Sequence, residues 1–223
     1  MPDLDATTTL DRLTTYGPYF TVGTGSVPDG NWQPTATLRE RAVRDDLVAA
    51  TAERMGVAEA RVAASTLFFG YAARLWSVAV GSIVVAGRCV NLDIEELLWR
   101  SESGALHLHL EHPRFGGPAD AEVLDGQLAP LIAAWRDTVA PGLLWGNTAS
   151  ALCGAGEVLG PDADVVVAAL FRDVRLSDTL DPASGRRRSC CLFYRTGSGG
   201  VCGDCPFPAA PLVQKHSGPE LRS

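Results

Sequence analysis

The stretch Val62–Gly87, VAASTLFFGYAARLWSVAVGSIVVAG, decides the fold. It is apolar nearly all round, the pattern of a helix buried on every side rather than one with a single wet face. Arg74 divides it into two uncharged pieces of about a dozen residues, each short of the ~20 needed to span a bilayer. The stretch therefore reads as a central core helix over Ala58–Val85, with Gly70 and Gly81 as points where it can break.

On the N-terminal side, a second helix is expected from Thr37 through LRERAVRDDLVAATAERMG. There Leu38, Ala42, Val43, Leu47, Val48, Ala50 and Met55 recur at helical spacing, and Gly56 supplies a stop. Residues 1–34 are punctuated by Gly17-Pro18, Gly23, Gly25, Pro28, Gly30 and Pro34, so loops are expected there, with a short strand at Tyr19–Val22. On the C-terminal side the period changes. Leu106, Leu108 and Leu110 alternate with His107, His109 and Glu111, which predicts a half-buried strand ended by Pro113. Ser101–Gly104 makes a turn before it, and Ile94–Trp99 is either its hairpin partner or a short helix. Helices resume over Ala119–Val139, Gly142–Leu159 and Asp162–Leu176, broken at Pro141-Gly142 and Gly160-Pro161. The expected architecture is α+β and mainly helical, with a small β-hairpin or sheet. Residues 1–180 form the body; residues 181–223, rich in Pro, Gly and Arg, form a separate C-terminal segment.

The net charge of −7 argues against a nucleic-acid-binding face, and the basic residues are eighteen arginines and one lysine, Lys215. The opening MPDLDATTTLDRL has acids where a signal peptide has a basic start, and no apolar core follows, so a cytoplasmic location is expected. A cytoplasmic chain keeps its thiols reduced. Of its six cysteines, four fall within sixteen residues, a clustering that points to metal or redox chemistry.

That cluster lies in RRRSCCLFYRTGSGGVCGDCPF, residues 186–207, with the spacing Cys-Cys-x10-Cys-x2-Cys over Cys190, Cys191, Cys202 and Cys205. Four thiolates satisfy a 2Fe-2S cluster, two to each iron. The turn at Gly203-Asp204 lets Cys202 and Cys205 converge. Neighbouring side chains diverge, so the vicinal pair Cys190-Cys191 needs a special backbone turn. Gly197, Gly199 and Gly200 let the intervening loop approach a cluster closely with its amides turned inward. Arg186, Arg187, Arg188 and Arg195 add positive charge, which favours the reduced form. Zinc held by two cysteine pairs is the second reading, although zinc ribbons use Cys-x2-Cys for both pairs. A strained vicinal disulfide is the third.

The segment resembles the ferric-siderophore reductases of the FhuF type, whose C-terminal signature Cys190, Cys191, Cys202 and Cys205 match in full, within Ser189-Cys190-Cys191-Leu192 and Tyr194-Arg195. The stretch Leu144-Trp145-Gly146-Asn147-Thr148-Ala149-Ser150 is more loosely similar to a Trp-x-Asn stretch in the body of such proteins. The resemblance implies a cytoplasmic oxidoreductase with a 2Fe-2S cluster on the four cysteines. It would pass one electron to iron(III) in an imported, usually hydroxamate, siderophore. Trp145, Asn147 and Arg195 are the candidate substrate contacts, and no catalytic residue is expected beyond the cluster ligands. The chain lacks a nucleotide-binding glycine motif after a strand, so electrons are expected from an external donor such as a ferredoxin or flavin reductase. Two alternatives belong to other classes: a non-catalytic iron-sulfur sensor, and a zinc-stabilised binding module.

Other residues read as structural. His107, His109 and His112 fit a solvent-facing strand edge better than a metal site, because no cysteine or paired carboxylate is spaced to complete one. Cys89 and Cys153 sit in apolar surroundings and read as buried inert thiols. Trp76, Trp99 and Trp135 read as core. Ser65, Ser77 and Ser150 lack a nucleophile motif, and Asp45-Asp46 and Glu95-Glu96 read as solvated helix faces.

Overall fold

The computed structural model describes residues 4–102, 104–181, 183–196 and 200–209; Gly197 and Gly199 of the cysteine loop and Lys215 lie outside them. It is a mainly helical α+β protein with one small mixed sheet.

The long apolar stretch forms one unbroken helix, α3 (Ala60–Ala86), which ends at Gly87 with φ 74°. By length and composition alone α3 could cross a membrane, but it is mostly buried within the protein. Around it pack α1 (Ala6–Leu13), α2 (Arg41–Met55) and α5 (Pro141–Leu159). Neither glycine interrupts it. Gly81 is needed because a Cβ there would lie 2.8 Å from Leu13 Cδ2 and 3.3 Å from Phe20. The close approach of α1 outweighs the ~1 kcal/mol that a mid-helix glycine costs. The tryptophans expected in the core are there, each with its N–H satisfied. Trp76 donates to Thr148 O at 3.1 Å, Trp135 to Leu38 O at 2.9 Å and Trp99 to Thr37 Oγ1 at 3.0 Å.

The N-terminal reading is corrected in two places. Residues expected to be loop form α1, whose start is capped by Asp5 accepting from Thr8 N at 2.7 Å. Three consecutive threonines disguise the helix, which is held by Leu10 and Leu13 buried against α3. The strand expected at Tyr19–Val22 is instead a 3-10 turn at Pro18–Phe20, and pairing begins only at β1 (Gly23–Thr24).

The sheet runs β1-β4-β3-β2, where β2 is Gln33–Pro34, β3 Leu97–Glu102 and β4 Ala105–Leu110. β3 and β4 form the hairpin, Leu97 opposite Leu110, which settles the partner of β4. β1 lies parallel along the other side of β4, so β4 is not an edge. This corrects His109: it is buried, under Gly23 and beside the Trp32 ring at 5.3 Å, and its Nε2 donates to Gly25 O at 2.8 Å. His107 remains exposed.

The expected helix over 119–139 starts as a wide π-helical stretch, Asp120–Leu128, and tightens into α4 (Ala129–Trp135). Buried Gln127 justifies the widening: it bonds Leu92 O and Thr35 Oγ1, and Tyr71 Oη donates to it at 2.7 Å. After α5 come α6 (Asp164–Leu170) and α7 (Val174–Ser177). From there the chain turns back across α3 and α5, which form the floor of the cysteine site.

Candidate metal centre

Two short loops carry the four cysteines. The first begins where Arg187 pairs with Leu180, and its backbone N donates to Asp204 O of the second loop at 2.8 Å. The turn expected at Gly203-Asp204 closes with Cys205 N donating to Cys202 O at 3.0 Å. The vicinal pair has its special turn at Leu192, which adopts φ 67° and is the only non-glycine residue with positive φ among the described residues. Such a conformation costs roughly 1–2 kcal/mol. It redirects the backbone so that Leu192 N donates to Cys190 Sγ at 3.3 Å and Phe193 N to Cys191 Sγ at 3.5 Å. The turn thus supplies amide donors to both sulfurs of the pair, a recognised feature of sulfur-ligated iron sites.

Across the loops, Cys191 Sγ and Cys202 Sγ lie 3.3 Å apart. That is too far for a bond of ~2.05 Å, and all six cysteines are free thiols. Cys190 and Cys205 lie on the same two loops, but among the described residues no three His, Cys, Asp or Glu side chains converge on one metal position.

Hydrogen bonds seat the loops on the body. Ser65 Oγ of α3 donates to Cys191 O at 2.7 Å. Asn147 of α5 donates through Nδ2 to Ser65 O and Oγ at 3.1 and 3.0 Å, and its Oδ1 accepts from Arg187 Nη1 at 2.9 Å. Arg187 Nη2 reaches both Cys202 Sγ and Asp204 Oδ1, the latter at 2.9 Å. Gly146 opens the space: a Cβ there would lie 2.4 Å from Ser189 Oγ. Arg186 Nη1 donates to Cys205 O at 2.8 Å, and Arg195 pairs with Glu59 at the start of α3.

The facing thiols share one hydrogen bond and so titrate as a pair. The hydrogen bond shared with Cys202, helped by Arg187 and opposed by burial, holds the Cys191 thiol below the ordinary cysteine value. The same contact pushes Cys202 up. Burial works against the charge of Arg187, but Cys191, Asp204 and Cys202 together raise its pKa above the ordinary arginine value. Away from the site, Cys89 is buried as expected whereas Cys153 is only half-buried; burial pushes their thiols up to about 12 and about 11.

A cavity of about 300 Å³ opens against the facing sulfurs. Its wall includes Cys191, Cys202, Arg187 and the aromatic rings of Tyr19, Phe69 and Phe193, with no carboxylate among the described lining residues. The candidate substrate contacts lie elsewhere. Trp145 is half-buried on α5 beneath the Arg175 guanidinium, Asn147 is fully buried in the network above, and Arg195 is engaged with Glu59 and the Tyr194 hydroxyl. Ser65, Tyr19 and Phe69 line the site without having been singled out as part of it. The polar Ser65 and Asn147 inside apolar helices were the available signal.

Comparison with known families adds the decisive observation: residues 187–207 match the model of the FhuF 2Fe-2S C-terminal domain. This segment is similar to the FhuF-type 2Fe-2S domain. Its cofactor is a 2Fe-2S cluster, and the FhuF family is associated with the reduction of siderophore iron. No curated protein matches the chain. The residues of this FhuF-type segment fit the cluster. Four free thiols come from two loops tied together through Arg187 N and Asp204 O, two already face each other, and backbone amides point at two of the sulfurs. In addition, the buried Arg187 Nε has no hydrogen-bond partner among the described residues.

Proposed function

We propose that this chain is a ferric-siderophore reductase of the iron-sulfur type. In this reading Cys190, Cys191, Cys202 and Cys205 ligate the cluster. Residues 1–180 form the body that seats it, and residues 181–223 carry it. When bound, a 2Fe-2S cluster supplies electrons one at a time. The substrate is iron(III) in a siderophore, of hydroxamate type. Hard hydroxamate oxygens hold iron(III) tightly and iron(II) weakly, so a single electron opens the chelate and releases iron(II) into the cytoplasm. One electron enters from an external donor such as a ferredoxin or flavin reductase, and one leaves to iron(III).

The observation that carries this reading is the cavity against Cys191 and Cys202. It gives a ligand-sized approach to the sulfurs, walled by Tyr19, Phe69 and Phe193, whose rings suit the organic exterior of a chelate. Without a lining carboxylate, the wall favours neutral or anionic chelates over cationic ones. Arg187, Asn147 and Ser65 hold the facing loop in register while the chelate is in place.

The test is anaerobic stopped-flow mixing of the chemically reduced protein with a ferric trihydroxamate, a ferrous-selective chelator being present. The expected result is prompt return of the oxidised visible spectrum with one iron(II) trapped per electron. A protein that stays reduced is a non-catalytic iron-sulfur regulator instead.

A further inference from the structure

Arg187 stands apart from the other arginines of the segment. Its side chain is 1% exposed, whereas the Arg186 and Arg188 residues are exposed and Arg195 is neutralised by Glu59. Burying a guanidinium is costly unless negative charge lies against it. The described neighbours offer one carboxylate, Asp204, which is itself a quarter exposed, together with the sulfur of Cys202. Asn147 Oδ1 fixes the other end of the fork, and Nε has no partner among the described residues. Asn147 is in turn locked by Ser65, so the guanidinium is held from α5 and α3 rather than by its own loop. A cation so placed meets the charge that the cluster assignment brings: four thiolates around two irons and two sulfides make a dianion when oxidised, and a further negative charge arrives on reduction.

We propose that Arg187 is the positioning residue that sets the reduction potential of the site. It stands against the cluster sulfurs on a bracket made by Asn147, Ser65 and Asp204. A fixed positive charge stabilises the more negative, reduced form more than the oxidised one and so raises the potential. Of the four arginines in the motif, Arg187 exerts this effect because it is the one withdrawn from solvent screening. This inference rests on the cluster assignment.

The test is an anaerobic redox titration, followed by electron paramagnetic resonance and visible spectra, on the wild-type chain and on Arg187→Met, Arg187→Lys, Asn147→Leu and Arg188→Gln. Iron and sulfide are assayed in each. Arg187→Met is expected to shift the midpoint to lower potential, with Arg187→Lys restoring most of it. Asn147→Leu frees the guanidinium and is expected to give a smaller shift of the same sign, with an altered resonance line shape. Arg188→Gln is expected to leave the midpoint unchanged. An unshifted Arg187→Met cluster overturns the proposal, as does a shift in Arg188→Gln as large as that in Arg187→Met. If Arg187→Met assembles no cluster, an unshifted Asn147→Leu overturns it. A wild-type chain without iron and sulfide fails the cluster assignment itself, which these outcomes keep separate.

Discussion

The helical body and the cysteine segment are held together by different forces. The body buries Phe68, Leu75 and Trp76 of α3 and Leu144 and Leu152 of α5 completely, and the Trp76, Trp99 and Trp135 nitrogens find backbone or hydroxyl acceptors. In the segment beyond residue 181, the buried described residues are Arg187, Cys191, Thr196 and Cys205. Such a set offers little fully buried apolar surface among the described residues, so hydrophobic burial does less to hold them in place than it does in the body. The segment is held by hydrogen bonds to Ser65 and Asn147, by the Arg187 fork and, in the proposed function, by ligation of the cluster. The expectation from this difference is that the body keeps its fold without the segment, while the segment takes its order from the body and its cofactor.

The sharpest way to break that comparison is at a sulfur. Cys202→Ser is expected to lose cluster iron and sulfide essentially completely while far-UV circular dichroism of the body is retained. Loss of helicity together with iron would show that the body depends on the segment. Conversely, Trp76→Ala opens a cavity between α3 and α5 and removes the bond to Thr148 O. It is expected to cost about 3–5 kcal/mol in denaturant unfolding and to take the segment down with the body.

The smallest effect lies where an exposed ion pair ties the two regions. Arg195, then Arg61, hydrogen-bonds the Glu59 carboxylate and holds its pKa below the ordinary 4.5. A depressed carboxylate adds stability that is full above its ordinary pKa and fades as pH falls through the lower folded value. Both side chains of the pair are partly exposed, so Glu59→Gln should cost only about 0.5 kcal/mol at neutral pH. The gap to wild type should close below pH 4.5 in a pH series of thermal melts. A gap that widens on acidification contradicts the pairing.

Most of the body was legible because its signals are periodic. The apolar run of α3, the stop at Gly56 and the alternation of Leu106, Leu108 and Leu110 each follow from local chemistry. What escaped depends on distant contacts. The helix α1 is fixed by Leu13 meeting Gly81, and His109 is buried because β1 arrives from far along the chain to pair with β4. At the site, the cysteine spacing announced the metal centre and even the need for an unusual turn, which Leu192 provides. Spacing could not show that Asn147 faces Arg187 rather than a substrate. Nor could it reveal that Tyr19, Phe69 and Phe193 line the cavity, since those residues converge only once α3 and the N-terminal turn pack together.

The measurement that tests the account most directly is the iron and acid-labile sulfide content of anaerobically purified protein, with its electron paramagnetic resonance after one-electron reduction. Two irons and two sulfides per chain, with a signal from a single unpaired electron, are the predicted result. Stoichiometric zinc, or a chain that binds no iron, would contradict it.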